Sequence, residues 1–311
     1  YVGGSKRMPK LSRLGTVSWR KAKDGAAEAA WDLASELLRL EAVRQNAQGL
    51  AFVPQVDWET SFTASFPYTE TEDQAQAIHD VLGDMAKVEP MDRLLCGDVG
   101  YGKTEVAMRA AFRAVLNGRQ VAILVPTTIL AQQHYTTFRE RMAEYPIVIE
   151  VLSRFRSRGE QTRILERLRD GQVDIVIGTH RLLQKDVSFP DLGLLIIDEE
   201  QRFGVRHKQR LKELRSCLDI LTMTATPIPR TLYFSLAGIR NLSTIMTAPA
   251  ERLPVTTVIA HFDKDLMRQV IVRELERQGQ VYFLYNRVQS IERMATTIRQ
   301  LVPEARCEIA H

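Results

Sequence analysis

Short, strongly apolar runs recur at regular intervals through the middle of the chain: Arg93–Cys96, Gln120–Val125, Ile147–Leu152, Asp174–Ile177, Leu194–Ile197 and Ile220–Met223. Each is strand length, and none alternates polar with apolar positions. That pattern predicts strands buried on both faces, which is how parallel sheets are built. Between most of the runs lie stretches with helical spacing, among them Glu72–Met85 and Glu105–Leu116. The predicted fold class is therefore α/β, a doubly wound parallel sheet covered by helices. Ligands of such a sheet gather at the carboxyl ends of its strands.

The flanks read differently. Residues 1–16 hold Gly, Pro, Ser and basic residues without periodicity. From Ser18 the positions Trp19, Ala26, Ala30, Leu33, Leu37 and Leu40 follow helical spacing, predicting one long helix to about Gln48. Ala51–Phe66 reads as irregular and aromatic. The α/β pattern pauses at Thr247–Pro254, then restarts with strand-like Val255–His261, a helix near Asp263–Gln278, and strand-like Gln280–Tyr285 and Ala305–Ala310. The predicted organisation is an arm and connecting helix at 1–50, one complete lobe at 51–247, a linker at 248–254 and an incomplete second lobe at 255–311. A first residue Tyr1 and an ending directly after a strand-like run read as a segment of a longer protein.

Bulk composition narrows the class only modestly. The 311 residues are 45% hydrophobic and 26% charged, ordinary for a globular protein of about two domains. No run approaches 18 apolar residues, so the cytoplasm is the expected compartment. The three cysteines, Cys96, Cys217 and Cys307, have no metal-ligand spacing and suit a reducing environment. The net charge of +4 sits wholly in residues 1–50, leaving 33 groups of each sign in the remainder. Any nucleic-acid surface must therefore be local.

Two strings carry chemistry. Gly97-Asp98-Val99-Gly100-Tyr101-Gly102-Lys103-Thr104 fits G-x-x-x-x-G-K-[ST] between a predicted strand and a predicted helix. Glycines let the backbone N–H groups turn onto phosphate oxygens, Lys103 neutralises the outer phosphates, and Thr104 offers its hydroxyl to Mg²⁺. Leu194–Ile197 delivers Asp198, Glu199, Glu200 and Gln201 to a strand's carboxyl end. Asp198 would hold Mg²⁺ through its waters, and Glu199 would orient and deprotonate an attacking water. ATP and Mg²⁺ are the expected cofactors.

Together with Thr224-Ala225-Thr226, these strings resemble the core of a superfamily 2 helicase or translocase. Further motifs fall in order. Phe66-Pro67-Tyr68, Thr71 and Gln74 resemble the adenine-reading Q motif; Pro126–His134 resembles motif Ia; Gly178–Leu183 resembles motif Ib; Tyr285-Asn286-Arg287 resembles motif IV. The wording of Met91–Arg109, Val125–Tyr135, Val151–Ser157 and Asp191–Arg206 is closest to the transcription-repair coupling branch, with branched-DNA helicases as nearest relatives. The resemblance implies a RecA-like lobe and ATP-driven translocation on double-stranded DNA of any sequence. It also implies two partners, a stalled RNA polymerase and the excinuclease A subunit, reached mainly through other parts of the protein. Phe66 and Gln74 would then read adenine. Thr127, Thr128, Arg154, Arg156, Thr179, His180 and Arg181 would hold DNA phosphates. Gln201, Thr224 and Thr226 would couple hydrolysis to DNA, although the family's usual histidine is Gln201 here. Motifs V and VI, which carry the arginine fingers of that superfamily, are not among these residues. These residues alone are thus expected to bind ATP weakly and hydrolyse it hardly at all. His79 and His207 read as surface residues, Met223 and Cys96 as strand core, and Trp58 as a packing residue.

Overall fold

A computed structural model describes residues 15–21, 23–25, 47–200, 218–225, 240–250 and 255–310, with single residues 28, 31, 42, 203 and 252. Gln201, Thr226, His207, Cys217 and most of the predicted helix from Ser18 to Gln48 lie outside them. The chain divides into two compact units, residues 1–252 and 253–311.

The first unit is a seven-stranded sheet in the order β3-β4-β2-β5-β6-β1-β7, every neighbouring pair parallel. Its strands are β1 (Asp92–Gly97), β2 (Gln120–Leu124), β3 (Ile149–Leu152), β4 (Ile175–Gly178), β5 (Leu192–Asp198), β6 (Asp219–Thr224) and β7 (Asn241–Ile245). All six expected strands are present within a residue or two. The arrangement is the RecA-like α/β fold. Because all strands run the same way, the segments following Gly97, Leu124, Leu152, Gly178, Asp198 and Thr224 emerge at one rim.

The described residues of this unit include five helices: α1 (Val56–Ala64), α2 (Glu72–Met85), α3 (Lys103–Leu116), α4 (Thr128–Arg141) and α5 (Arg158–Arg169). Three start on a side-chain cap that satisfies an orphan backbone N–H. Thr71 and Gln74 form a reciprocal capping box at α2, as do Ser157 and Glu160 at α5, and Thr127 accepts from Leu130 N at α4. Successive strand residues face opposite sides and feed two cores. Val121, Ile123, Ile196, Leu221 and Met223 pack with α2, α3 and α4, whereas Ala122, Leu124, Leu195, Ile197 and Ile220 pack with Ile164 and Leu168 of α5. On the first side Phe62 stacks on Phe112 at 4.2 Å between centroids, both fully buried. Full burial of such side chains contributes roughly 1.5–3 kcal/mol each.

Two departures from the pattern-based reading are instructive. Ala51–Phe66 is not irregular: it contains α1, which buries only Phe62 and therefore has too narrow an apolar stripe to announce itself. β7 was not expected, because Asn241–Ile245 is polar and only partly buried at the sheet's edge.

The second unit contains α6 (Lys264–Glu276) and α7 (Ile291–Leu301), which bury Ile271, Ile298 and Val302 among Met267, Leu275, Met294 and Leu301. Asp263 caps α6, accepting from the N–H groups of Asp265 and Leu266. The strand-like runs at 255–261, 280–285 and 305–310 are not strands in this structure. A strand exists only through a ladder partner, and here Ile259, Tyr282 and Leu284 are almost fully exposed. Among the described residues no helix is long and apolar enough to cross a membrane.

Candidate functional site

The loop between β1 and α3 lies on this rim. Gly100 and Gly102 have φ of +80° and +79°, a region other residues adopt only under strain. A Cβ on Gly102 would lie 2.4 Å from Gln74 Nε2, and one on Gly97 would lie 3.1 Å from the carbonyl oxygen of Ile245. Gly102 is thus required by close approach as well as conformation, and Gly97 by close approach alone. Lys103 Nζ donates to the carbonyls of Gly97 (2.6 Å) and Asp98 (2.9 Å). Burial lowers the Lys103 ammonium below its ordinary range, opposed by the negative charges of Asp198, Glu199 and Asp98. Lys103, Asp198 and Glu199, about 95 residues apart in sequence, therefore share one electrostatic site. Thr104 follows in the first turn of α3, half-buried beside them.

Asp198 closes β5, and Glu199 stands just beyond it at φ +53°. Strain of that kind costs about 1–3 kcal/mol and persists only when neighbours fix it. Here they do: Glu199 N donates to Met223 O, while its carboxylate accepts from Ala225 N at 2.8 Å and Thr224 Oγ1 at 3.4 Å. These bonds tie Glu199 to the start of the Thr224-Ala225-Thr226 string. Gln201 and Thr226 lie outside the described residues.

Gln74 is buried, and it does two things. Its Oε1 accepts from Thr71 N in the capping box, and its Nε2 donates to Tyr101 O in the phosphate loop at 3.0 Å. Phe66 is half-buried, with Tyr68 edge-on at 5.5 Å and the guanidinium groups of Arg109 and Arg141 at 5.8 and 5.6 Å. Gly97, Gly100, Gly102, Lys103, Thr104, Gln74 and Phe66 are thus all on or tied to one loop and its neighbours. The donor set fits a magnesium nucleotide: a glycine loop a Cβ would close, a helix N-terminus, one lysine, one hydroxyl and one carboxylate. Among the described residues no cluster of three or more His, Cys, Asp or Glu could cage a metal by itself. A site of this kind leaves coordination positions for phosphate oxygens and water.

The residues expected to grip phosphates occupy the same rim but differ in availability. Thr127 and His180 are exposed, and Arg154 projects outward beside Phe155. Thr128 and Thr179 are buried, so their hydroxyls have little free surface. Arg156 is paired with Glu160, and Arg181 makes a two-pronged ion pair with Asp186 at 2.7 and 2.6 Å. That pairing holds Asp186 below the usual carboxylate range. The free positive charge of this surface is correspondingly smaller than a count of arginines suggests. His79 is exposed, Cys96 and Met223 are buried in strands, and Trp58 packs against Tyr145, all as expected.

Four residues at or behind the site were not singled out in the sequence. His134 of α4 is buried, with Nε2 3.2 Å from Asp198 Oδ2. Arg141, also of α4, grips Glu105 of α3. Arg240 is buried between Asp92 and Glu200, 2.7 and 3.4 Å away. Arg252 pairs with Asp98 at 3.0 Å and lies 4.6 Å over the Tyr101 ring. All four sit in polar contacts that bridge distant segments, which periodicity does not register.

A RecA-like sheet with a glycine-rich loop after one strand and an acidic pair ending another defines the class: a P-loop lobe. Residues 71–234 match the DEAD/DEAH box helicase family, and the chain belongs to it. Over all 311 residues it is 55% identical to the transcription-repair-coupling factors of Bacillus subtilis (strain 168) and Escherichia coli (strain K12). It covers only 26% and 27% of their lengths. A solved structure of RecG bound to a three-way DNA junction superposes on 86% of the chain with TM-score 0.72 and 34% identity, using 37% of that protein. The DUF1998 helicase MrfA bound to DNA shares the fold, with TM-score 0.59 at 16% identity.

Proposed function

We propose that this chain is the ATP-binding motor region of a double-stranded DNA translocase that displaces stalled RNA polymerase and couples transcription to nucleotide-excision repair. The observation that carries the reading is the identity of 51–55% across every residue to transcription-repair-coupling factors of several bacteria. The partners follow from the same likeness: duplex DNA of any sequence, RNA polymerase and the excinuclease A subunit. The cytoplasm is the compartment consistent with them.

ATP with Mg²⁺, when bound, supplies the reactive phosphoryl group and neutralises part of its charge. The loop N–H groups from Gly97 to Thr104 and the N-terminus of α3 hold the phosphates. Lys103, partly desolvated, gives its charge to the outer phosphates rather than to the Gly97 and Asp98 carbonyls. Thr104 and Asp198 would hold the cation. Glu199, fixed by Ala225 and Thr224, orients the attacking water and takes its proton. Because Thr224 and Ala225 begin the Thr-Ala-Thr motif, a shift there moves the base itself. The rim at Thr127, Arg154 and His180 tracks a phosphate backbone without reading bases. Stabilising the transition state also calls for arginine fingers from motifs V and VI. Since those motifs lie outside the 311 residues, this region alone binds ATP weakly and turns it over slowly.

A second reading, a helicase remodelling branched DNA, draws on the likeness to RecG. The full-length protein with a stalled transcription complex separates the two. The coupling reading predicts polymerase release driven by ATP without strand separation of a bare fork, and no release by Glu199→Gln despite retained ATP binding. Fork unwinding without polymerase release supports the second reading. Release at the normal rate by Glu199→Gln removes the proposed role of that residue.

A further inference from the structure

Thr127, His134 and Arg141 recur every seven residues along α4, which at about 3.6 residues per turn sets them along one stripe of the helix. Their surroundings differ. At one end Thr127 caps the helix at the sheet rim, among the candidate phosphate-gripping residues. Two turns on, the buried His134 ring meets the carboxylate of Asp198 at 3.2 Å. Two turns further, Arg141 holds both oxygens of Glu105, with Nη2 3.0 Å from Oε1 and Nε 3.2 Å from Oε2. Glu105 follows Thr104 in the first turn of α3. Arg141 also donates to Phe62 O (2.6 Å) and Ser65 Oγ (2.7 Å), while its guanidinium lies 3.9 Å over Phe62 and 5.6 Å from Phe66.

One helix about 20 Å long thus touches the candidate DNA surface, the cation-holding aspartate, the phosphate-loop helix and the segment that carries Phe66. We infer that α4 couples DNA occupancy at the rim to the nucleotide pocket, with His134 and Arg141 as the positioning residues through which it acts. The inference rests on the motor reading above. A helix is stiff along its axis, so a displacement at Thr127 reaches Asp198 and Glu105 together. His134 is a positioning residue rather than a catalytic one: it fixes the direction of the Asp198 carboxylate and touches no reacting atom. An ordinary buried histidine has no need of a site carboxylate, and an ordinary helix-end arginine has no need to bind both α3 and the 62–66 segment.

The test is the ratio of duplex-DNA dissociation constants measured with ADP and with a non-hydrolysable ATP analogue, using the full-length protein and a labelled blunt duplex. Linkage makes that ratio the same from either side, and such couplings are typically 5- to 150-fold. His134→Gln places an amide nitrogen near the position of Nε2 and is expected to keep the ratio. His134→Asn is one methylene too short and is expected to lower it at least about fivefold. Its affinities for ADP alone and for duplex without nucleotide should stay within about twofold. If the Asn variant does not fold, Arg141→Lys, which keeps the charge but loses the two-pronged grip, carries the same expectation. An unchanged ratio in the short variant overturns the inference, as does equal loss of the ratio in His134→Gln. Parallel collapse of both separate affinities in a folded His134→Asn also overturns it, because the role is then general packing. A wild-type ratio of one removes the motor reading itself, and the inference with it.

Discussion

Replacing Gly102 by alanine concentrates three costs on one atom. The residue keeps φ near +79°, a conformation that costs a side chain roughly 1–2 kcal/mol. The new Cβ lies 2.4 Å from Gln74 Nε2 and 3.1 Å from its Cδ, so the amide must leave. Its departure breaks the bonds to Tyr101 O and Thr71 N, both 3.0 Å, each worth about 1 kcal/mol net. The sum is about 3 kcal/mol against the phosphate-binding conformation, a loss of on the order of 100-fold in ATP affinity. Titration with a fluorescent ATP analogue reads this directly, and thermal unfolding distinguishes a distorted loop from a collapsed lobe. A double-mutant cycle with Gln74→Ala sharpens it. Because Gly102→Ala already ejects Gln74, the second substitution should add almost nothing. Affinity within twofold of wild type, or full additivity in the cycle, refutes the argument that Gln74 and Gly102 interlock.

Two further outcomes bear on the scaffold. Burial alone raises Asp84, but hydrogen bonds from Lys87, Arg93 and Asn241 outweigh it and leave the carboxyl below its ordinary 3.8. Its stabilisation is therefore present above that value and lost as pH falls through the lowered one. Asp84→Asn should cost about 3 kcal/mol near neutrality, because Arg93 keeps only Asp80 and Ser243, and the deficit should shrink in acid. A deficit independent of pH in denaturant titrations contradicts this. Arg252→Ala removes a half-exposed pair with Asp98 and should leave the denaturant midpoint of unfolding nearly unchanged, because exposed ion pairs contribute little; a loss as large as that of Asp84→Asn shows that its stacking on Tyr101 carries more than the exposure implies.

Much of the fold and site was legible because the physics behind it is local. Unbroken Val/Ile/Leu runs declare strands covered on both faces, and Gly97–Thr104 carries its own reason for every glycine and for Lys103. Asp198 and Glu199 were legible because a buried strand that ends in acids has few other uses. What stayed hidden depends on contacts between distant segments. β7 is polar because it lies at an edge, and α1 buries Phe62 alone. The strand-like runs after Val255 satisfy the apolar pattern and still have no ladder, since pattern states a preference and pairing must be met elsewhere. His134 sits inside a readable motif, yet only the packing of α4 brings it to Asp198. Arg156 and Arg181 look like free positive charge until Glu160 and Asp186 are seen beside them.

The central claim is that this lobe belongs to an ATP-driven motor on duplex DNA. Steady-state ATP hydrolysis by the full-length protein, with and without blunt duplexes of unrelated sequence and across a salt series, tests it most directly. The account predicts stimulation by every duplex, to similar extents, weakening as salt rises because phosphate contacts supply the affinity. Hydrolysis indifferent to duplex, or stimulated by one sequence only, contradicts it.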